Sequence, residues 1–315
     1  MFKKLFYVPL ISFLVFSNFI VSDDVEEVVV TGSYIKGSPT DGASPVELYD
    51  RSTIEAIGAV NVADITANIA VNSGSENQAD SFTSGALQGR TNVNLRGLGL
   101  SSTLVLFDGR RQTVAGATAN DGSVFVDTSA IPIIALERVE VLKEGAASIY
   151  GSDAVAGGVN YIFRRDFTGF EVDITTQETD LGDSKDRRGS FIWGGESGDT
   201  NLVVAYSTLD RSPLSQSELE LAPLGVSGLG TSFLLFGPST VESGPYAGTY
   251  SAFQNVGDPN CVANKGIVIP QASGFRCGFK YGPRFNIVND EDHDQLYVSL
   301  KTKLTSGVDA KLDLS

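Results

Sequence analysis

Few residues in this chain of 315 are suited to covalent chemistry. Histidine occurs once, at His293, and cysteine twice, at Cys261 and Cys277. There is no Gly-x-Ser-x-Gly and no cysteine placed beside a base, so no activated nucleophile can be assembled. Gly97-Leu98-Gly99 lacks both the third spaced glycine and the following Lys-Ser/Thr of a phosphate-cradling loop. The run Asp290-Glu291-Asp292-His293-Asp294 is acidic enough to attract a cation, but it lacks the spaced loop and glycine of a calcium site and reads as a solvated strand end. No catalytic residue, metal site or cofactor is expected, and the chain is read as a non-enzyme.

The elements around these residues point to an exported protein. Lys3 and Lys4 precede an apolar run over 5–21, and Ser22 precedes Asp23-Asp24, the layout of a signal peptide at 1–22. Its removal takes the formal charge from −15 to −17, which disfavours nucleic acid as a partner. In an exported chain, a lone cysteine pair with the spacing of Cys261 and Cys277 is most simply a disulfide. After residue 22 no run of 18 apolar residues occurs, so any membrane crossing must use strands.

Residues 23–45 are acidic and then rich in Gly, Ser, Thr and Pro, the composition of an extended leader and linker. Residues 46–165 alternate short helices and strands. A capping box is expected at Ser52 with Glu55, a helix end at Gly58, and a second helix capped by Asn61 with Val62, Ile65 and Ile69 on one face. Strands are expected at Val93 and Leu95, at 104–106, at 139–142 and at 159–162. From residue 166 the period becomes two. Phe170, Val172 and Ile174 alternate with Glu171, Asp173 and Thr175; Leu296, Val298 and Leu300 alternate with Gln295, Tyr297, Ser299 and Lys301. Long strands with one greasy and one polar face and short turns are the signature of a transmembrane β-barrel, although a half-buried soluble sheet alternates in the same way. About five such strands are expected over 166–315, interrupted by a long segment near 212–285. Five strands cannot close a barrel, and an open edge in lipid is costly, so the chain is expected to be the N-terminal part of a longer protein.

The stretch 92–165 contains Asn92-Val93-Asn94-Leu95-Arg96-Gly97-Leu98-Gly99, then Leu104-Val105-Leu106-Phe107-Asp108-Gly109-Arg110-Arg111, then IPIIALERVEVLKEGAASIYGSDAVAGGVNYIFRR. It resembles, nearly position for position, the plug domain of TonB-dependent outer-membrane receptors. Ser102, Asp108 and the EGAAS run depart from the commoner family residues, which leaves the substrate group open. The fold class implied is an α+β plug domain followed by the start of an antiparallel transmembrane β-barrel. Upstream, Glu27-Val28-Val29-Val30-Thr31 is similar to a TonB box, and three β-branched valines suit strand addition to a partner's sheet.

The resemblance implies residence in the outer membrane, with the box and plug facing the periplasm. It also implies energised uptake of a siderophore, cobalamin or oligosaccharide. The implied partners are TonB with its inner-membrane energising proteins, outer-membrane lipid and a small-molecule or oligosaccharide ligand. Arg96 and Arg138, with Glu144, would lock plug to barrel wall. The bland alternative is a local salt bridge with Glu137, Glu140 or Glu144. Aromatic residues of the long segment, among them Phe233, Phe236, Tyr246 and Phe253, either stack on a ligand or pack the loop itself. A passive porin-like or adhesive surface protein is the rival function.

Overall fold

A computed structural model of the chain describes residues 46–76, 88–144, 146–180, 184–218, 226–227, 232–271, 275–282, 285–305 and 308–314. The expected signal peptide, the leader and residues 27–31 lie outside the described residues.

The first unit begins with β1 (Val46–Asp50), which runs straight into α1 (Arg51–Ile57) and then α2 (Val62–Asn68). The cap of α1 is Asp50, whose side chain accepts from the Thr53 amide at 2.8 Å. This corrects the expectation of Ser52. Asp50 still has the extended backbone of β1 and its carboxylate faces the free amides of the first turn, whereas Ser52 lies within the helix and donates to Asp50 instead. Gly58 closes α1 at φ 69°, a left-handed conformation that glycine adopts without penalty. Asn61 caps α2 in a reciprocal box with Asp64.

Four further strands complete this unit's sheet: β2 (Thr103–Phe107), β3 (Arg110–Arg111), β4 (Leu136–Leu142) and β5 (Gly157–Phe163). A single helical turn, α3 (Ala147–Tyr150), lies between β4 and β5. The order is β1-β4-β5-β2-β3, with β2 parallel to β5 and every other pair antiparallel. Val93 and Leu95 do not form the expected strand; Leu95 makes one bridge, to Asn72. Side chains take the amides a ladder would need. The Asn94 N–H donates to Asn72 Oδ1 and Ser75 Oγ, and the Leu95 N–H donates to Thr103 Oγ1.

The second unit is an antiparallel meander, β6 (Gly169–Glu178), β7 (Lys185–Ser197), β8 (Thr200–Arg211), β9 (Glu291–Thr305) and β10 (Val308–Leu314), adjacent in that order. The β7–β8 turn pairs Ser197 with Thr200, and the β9–β10 turn pairs Thr305 with Val308. Between β8 and β9, the long segment builds short antiparallel pairs, such as Ser232–Leu234 with Asn255–Gly257 and Ile267–Pro270 with Phe275–Lys280. These are too short to show a period in sequence. Cys261 and Cys277 are disulfide-bonded within this segment.

The meander is inside-out relative to a soluble sheet. Phe170, Val172 and Ile174 are 66%, 53% and 80% exposed. Trp193, Leu296, Leu312 and Leu314 are exposed as well. The opposite face meets the first unit. Ile192 of β7, Val203 and Ala205 of β8 and Tyr297 of β9 are buried in one cluster with Ile133, Ile134, Leu136 and Phe163. A half-buried soluble sheet would hide its greasy face; this one turns it outward, as a wall in lipid does.

Candidate functional site: the interface between domain and wall

The chemistry of this chain lies where the first unit meets the inner face of β6–β10. One part of the contact is polar. Arg51, in the first turn of α1, donates to the Ile133 carbonyl at 3.1 Å and reaches Glu171 of β6 at 3.4 Å. Gln177 donates to the Gly58 carbonyl at 2.5 Å. Arg188 of β7 is buried; it donates to the Ala59 carbonyl at 2.7 Å and to Asp173 at 2.6 Å. The period of two puts Glu171, Asp173, Thr175 and Gln177 on the same face of β6. The antiparallel register then sets Thr175 opposite Arg188.

The second part is the linker from β5 to β6. Arg164 bonds Glu171 at 2.8 Å and lies over the Phe167 ring, 4.3 Å from its centroid. Arg165 bonds Asp108, in the β2–β3 turn, at 2.7 Å and Asp313 of β10 at 2.8 Å. Asp313 also accepts from Ser299 Oγ at 2.8 Å and lies 3.6 Å from Arg110. One guanidinium therefore ties the domain, the linker and the wall together. Burial pushes the Asp108 carboxyl up to about 6; the Phe163 N–H and Arg165 oppose that rise, while Asp313 and Glu137 add to it. On the β9 side, Gln295 donates to the Ser129 and Ile131 carbonyls at 2.5 and 3.1 Å.

Arg96 and Arg138, expected to lock plug to wall, make contacts within the first unit. Arg138, on β4, bonds Glu140 at 2.9 Å and Glu137 at 2.7 Å, both within the first unit. Arg96 has φ 58° and donates to the Val155 carbonyl at 3.0 Å. Glu144 is exposed. Nothing in the sequence marks Arg51, Arg164, Arg165, Arg188 or Asp313 for these contacts, and Asp108 stands out there only as a departure from the commoner family residue. The inner-face positions Glu171 and Asp173 stood in the alternation, but their partners lie across strands or 120 residues away, as for Arg51 with Glu171.

An α+β domain held by ions, amides and aromatic rings against the polar face of an outward-greasy antiparallel meander is a plug seated on a barrel wall. Residues 38–158 match the family model described as TonB-dependent Receptor Plug Domain, and this part of the chain belongs to that family. Over 126 residues the chain is 31% identical to the iron-regulated outer membrane virulence protein of Vibrio cholerae serotype O1, across 38% of this chain and 19% of that protein. Among solved structures, it is similar to a mutant ferric enterobactin receptor from Pseudomonas aeruginosa, with TM-score 0.51, 16% identity, and coverage of 91% of this chain and 34% of that one. It is also similar to a siderophore receptor from Acinetobacter baumannii, with TM-score 0.50, 18% identity, and coverage of 85% and 30%. At such identities the structural likeness speaks for fold. The chain spans about a third of the length of these receptors.

Proposed function

We propose that this chain is the N-terminal part of an outer-membrane receptor that imports a scarce ligand with energy delivered by TonB. The observation that carries the reading is the seating of the plug on the polar face of a sheet whose other face is apolar. Exposed Phe170, Ile174 and Trp193 suit lipid, while Arg188, Glu171 and Gln295 suit a lumen that holds a domain. In this reading residues 27–31 add a strand to TonB in the periplasm, and the segment near 212–285 with its disulfide faces outside. Arg96, Arg138 and Glu144 brace the plug against further wall. The relatives' names favour an iron complex over cobalamin or an oligosaccharide.

The test is deletion of residues 27–31 from the natural full-length protein, followed by uptake of radioactive iron as ferric enterobactin and as a hydroxamate complex in iron-starved cells. Loss of uptake with retained surface binding is expected. Unchanged uptake would favour a passive porin-like protein, for which a seated plug has no use.

A further inference from the structure

The two flanks of the plug–wall contact differ in chemistry. Against β6 and the start of β7, the plug presents α1 and the turn that follows it towards α2, and the contacts are charged or hydrogen-bonded: Arg51 with Glu171, Gln177 with the Gly58 carbonyl, and Arg188 with the Ala59 carbonyl and Asp173. A cavity of about 350 Å³ opens along this flank, lined by Arg51, Glu55, Asp173, Thr175 and Arg188 among others. Arg188 is nine-tenths buried, and its Nε has no hydrogen-bond partner among the described residues. Against the middle of β7, β8 and β9 the contact is mainly apolar, with Gln295 donating to the Ser129 and Ile131 carbonyls at its edge. Ile192, Val203 and Ala205 are fully buried with Ile133, Ile134 and Leu136, and Tyr297 stacks on Phe163.

These flanks resist separation unequally. Hydrogen bonds and ion pairs can be exchanged for bonds to water at small net cost, and the cavity already admits it. Parting the apolar flank exposes aliphatic and aromatic surface that water cannot repay. We propose that the plug leaves the wall along the α1–α2 flank, opening a polar passage past β6 and β7 while the β8–β9 flank stays closed. The carboxylates and guanidiniums along it suit a polar, hydrogen-bonding solute rather than an apolar one. This inference rests on the reading of the protein as an energised importer.

The test places one cysteine on each flank of the natural full-length protein in intact cells. Thr175→Cys lines the cavity and nearly conserves volume; Ala205→Cys lies in the apolar contact and adds a single sulfur atom. Gln177→Cys and Ser207→Cys serve as second positions should either variant fail to reach the membrane. Labelling by a charged, membrane-impermeant maleimide is timed with and without an uncoupler that collapses the proton gradient. Thr175→Cys is expected to label about tenfold faster or more in energised cells, the scale of ordinary conformational coupling, while Ala205→Cys stays protected in both. Energy-dependent labelling at Ala205→Cys, whether alone or equal to that at Thr175→Cys, overturns the flank assignment and leaves energised import standing. Labelling indifferent to the uncoupler at both positions overturns the two together.

Discussion

Phe163, in the last position of β5, lies flat against Tyr297 of β9, ring centroids 4.6 Å apart and planes 9° from parallel. The contact joins the final plug strand to the wall, just before the arginines of the linker. Phe107 meets Phe163 edge-on at 5.7 Å and Tyr161 at 5.9 Å, so the stack continues the plug's own aromatic core. Phe163→Ala and Tyr297→Ala should each cost about 3–5 kcal/mol at this contact. The double variant should cost less than their sum by about 1 kcal/mol, the usual coupling of an aromatic pair. Chemical denaturation of the four proteins, followed by near-ultraviolet circular dichroism, measures that coupling. A coupling of zero would mean the rings are neighbours without being partners.

Gly157 shows how tightly the plug sheet closes. It has φ 118°, and a Cβ built there would lie 2.4 Å from the Leu142 carbonyl oxygen and 2.9 Å from Leu95 Cδ1. Gly157→Ala meets both a disfavoured backbone and a backbone carbonyl that cannot move aside cheaply, so a loss of several kcal/mol is expected, of which backbone strain alone is about 1–3 kcal/mol. At the next residue the same change is ordinary: a Cβ on Gly158 would lie 3.6 Å from the Leu104 carbonyl. Gly158→Ala should stay within about 1 kcal/mol of the parent. Protease resistance of the plug in the two variants separates them, and equal resistance would contradict the packing described.

Much of this was readable along the chain. The Asn61 cap, the Gly58 stop, the apolar runs of β2, β4 and β5 and the alternation of β6 and β9 are local patterns of 4–10 residues, and each became the expected element or cap. Elements with less local signal went unread. β3 has two residues, and β1 owes its existence to pairing with β4. Residues 93–95 looked like a strand because β-branched and apolar types alternate there, yet their amides are taken by Asn72, Ser75 and Thr103. The ionic contacts were the least legible part. Arg165 meets Asp108 and Asp313, partners set by topology and register rather than spacing. Arg138 instead found the carboxylates nearest in sequence, Glu137 and Glu140.

The disulfide restrains the long segment between β8 and β9. Cys261 lies within a turn in which Asp258 accepts from the Asn260 amide at 2.8 Å and from the Asn264 side chain at 2.7 Å; Cys277 sits in the strand Phe275–Lys280. Replacing both cysteines by alanine should release about 3 kcal/mol of restraint on the unfolded segment in the chain-entropy model. Amide exchange in Ile267–Pro270 and Phe275–Lys280 should then quicken, with β4 and β5 unchanged. Hydrogen exchange by mass spectrometry tests both halves of the expectation, and quickened exchange in β5 would show that the segment supports the plug.

Asp108 makes the plug–wall joint sensitive to protons. Its carboxyl is pushed up to about 6, chiefly by burial, while one oxygen accepts the Phe163 amide at 3.0 Å and the other meets Arg165. Because the folded value lies above the ordinary carboxylate value, the folded protein holds this proton more tightly than the unfolded chain. The favourable contribution is therefore fully present below the ordinary carboxylate range and is lost as pH rises through about 6. The full swing is on the order of 3 kcal/mol. Asp108→Asn keeps an acceptor for the Phe163 amide and removes the titration, so its stability should not fall across that window as the parent's does. Subtracting the variant's unfolding free energy from the parent's at each pH between 4 and 7 isolates this one group. A difference that stays flat across the window would show that Arg165 and the Phe163 amide offset the burial of the charge in full.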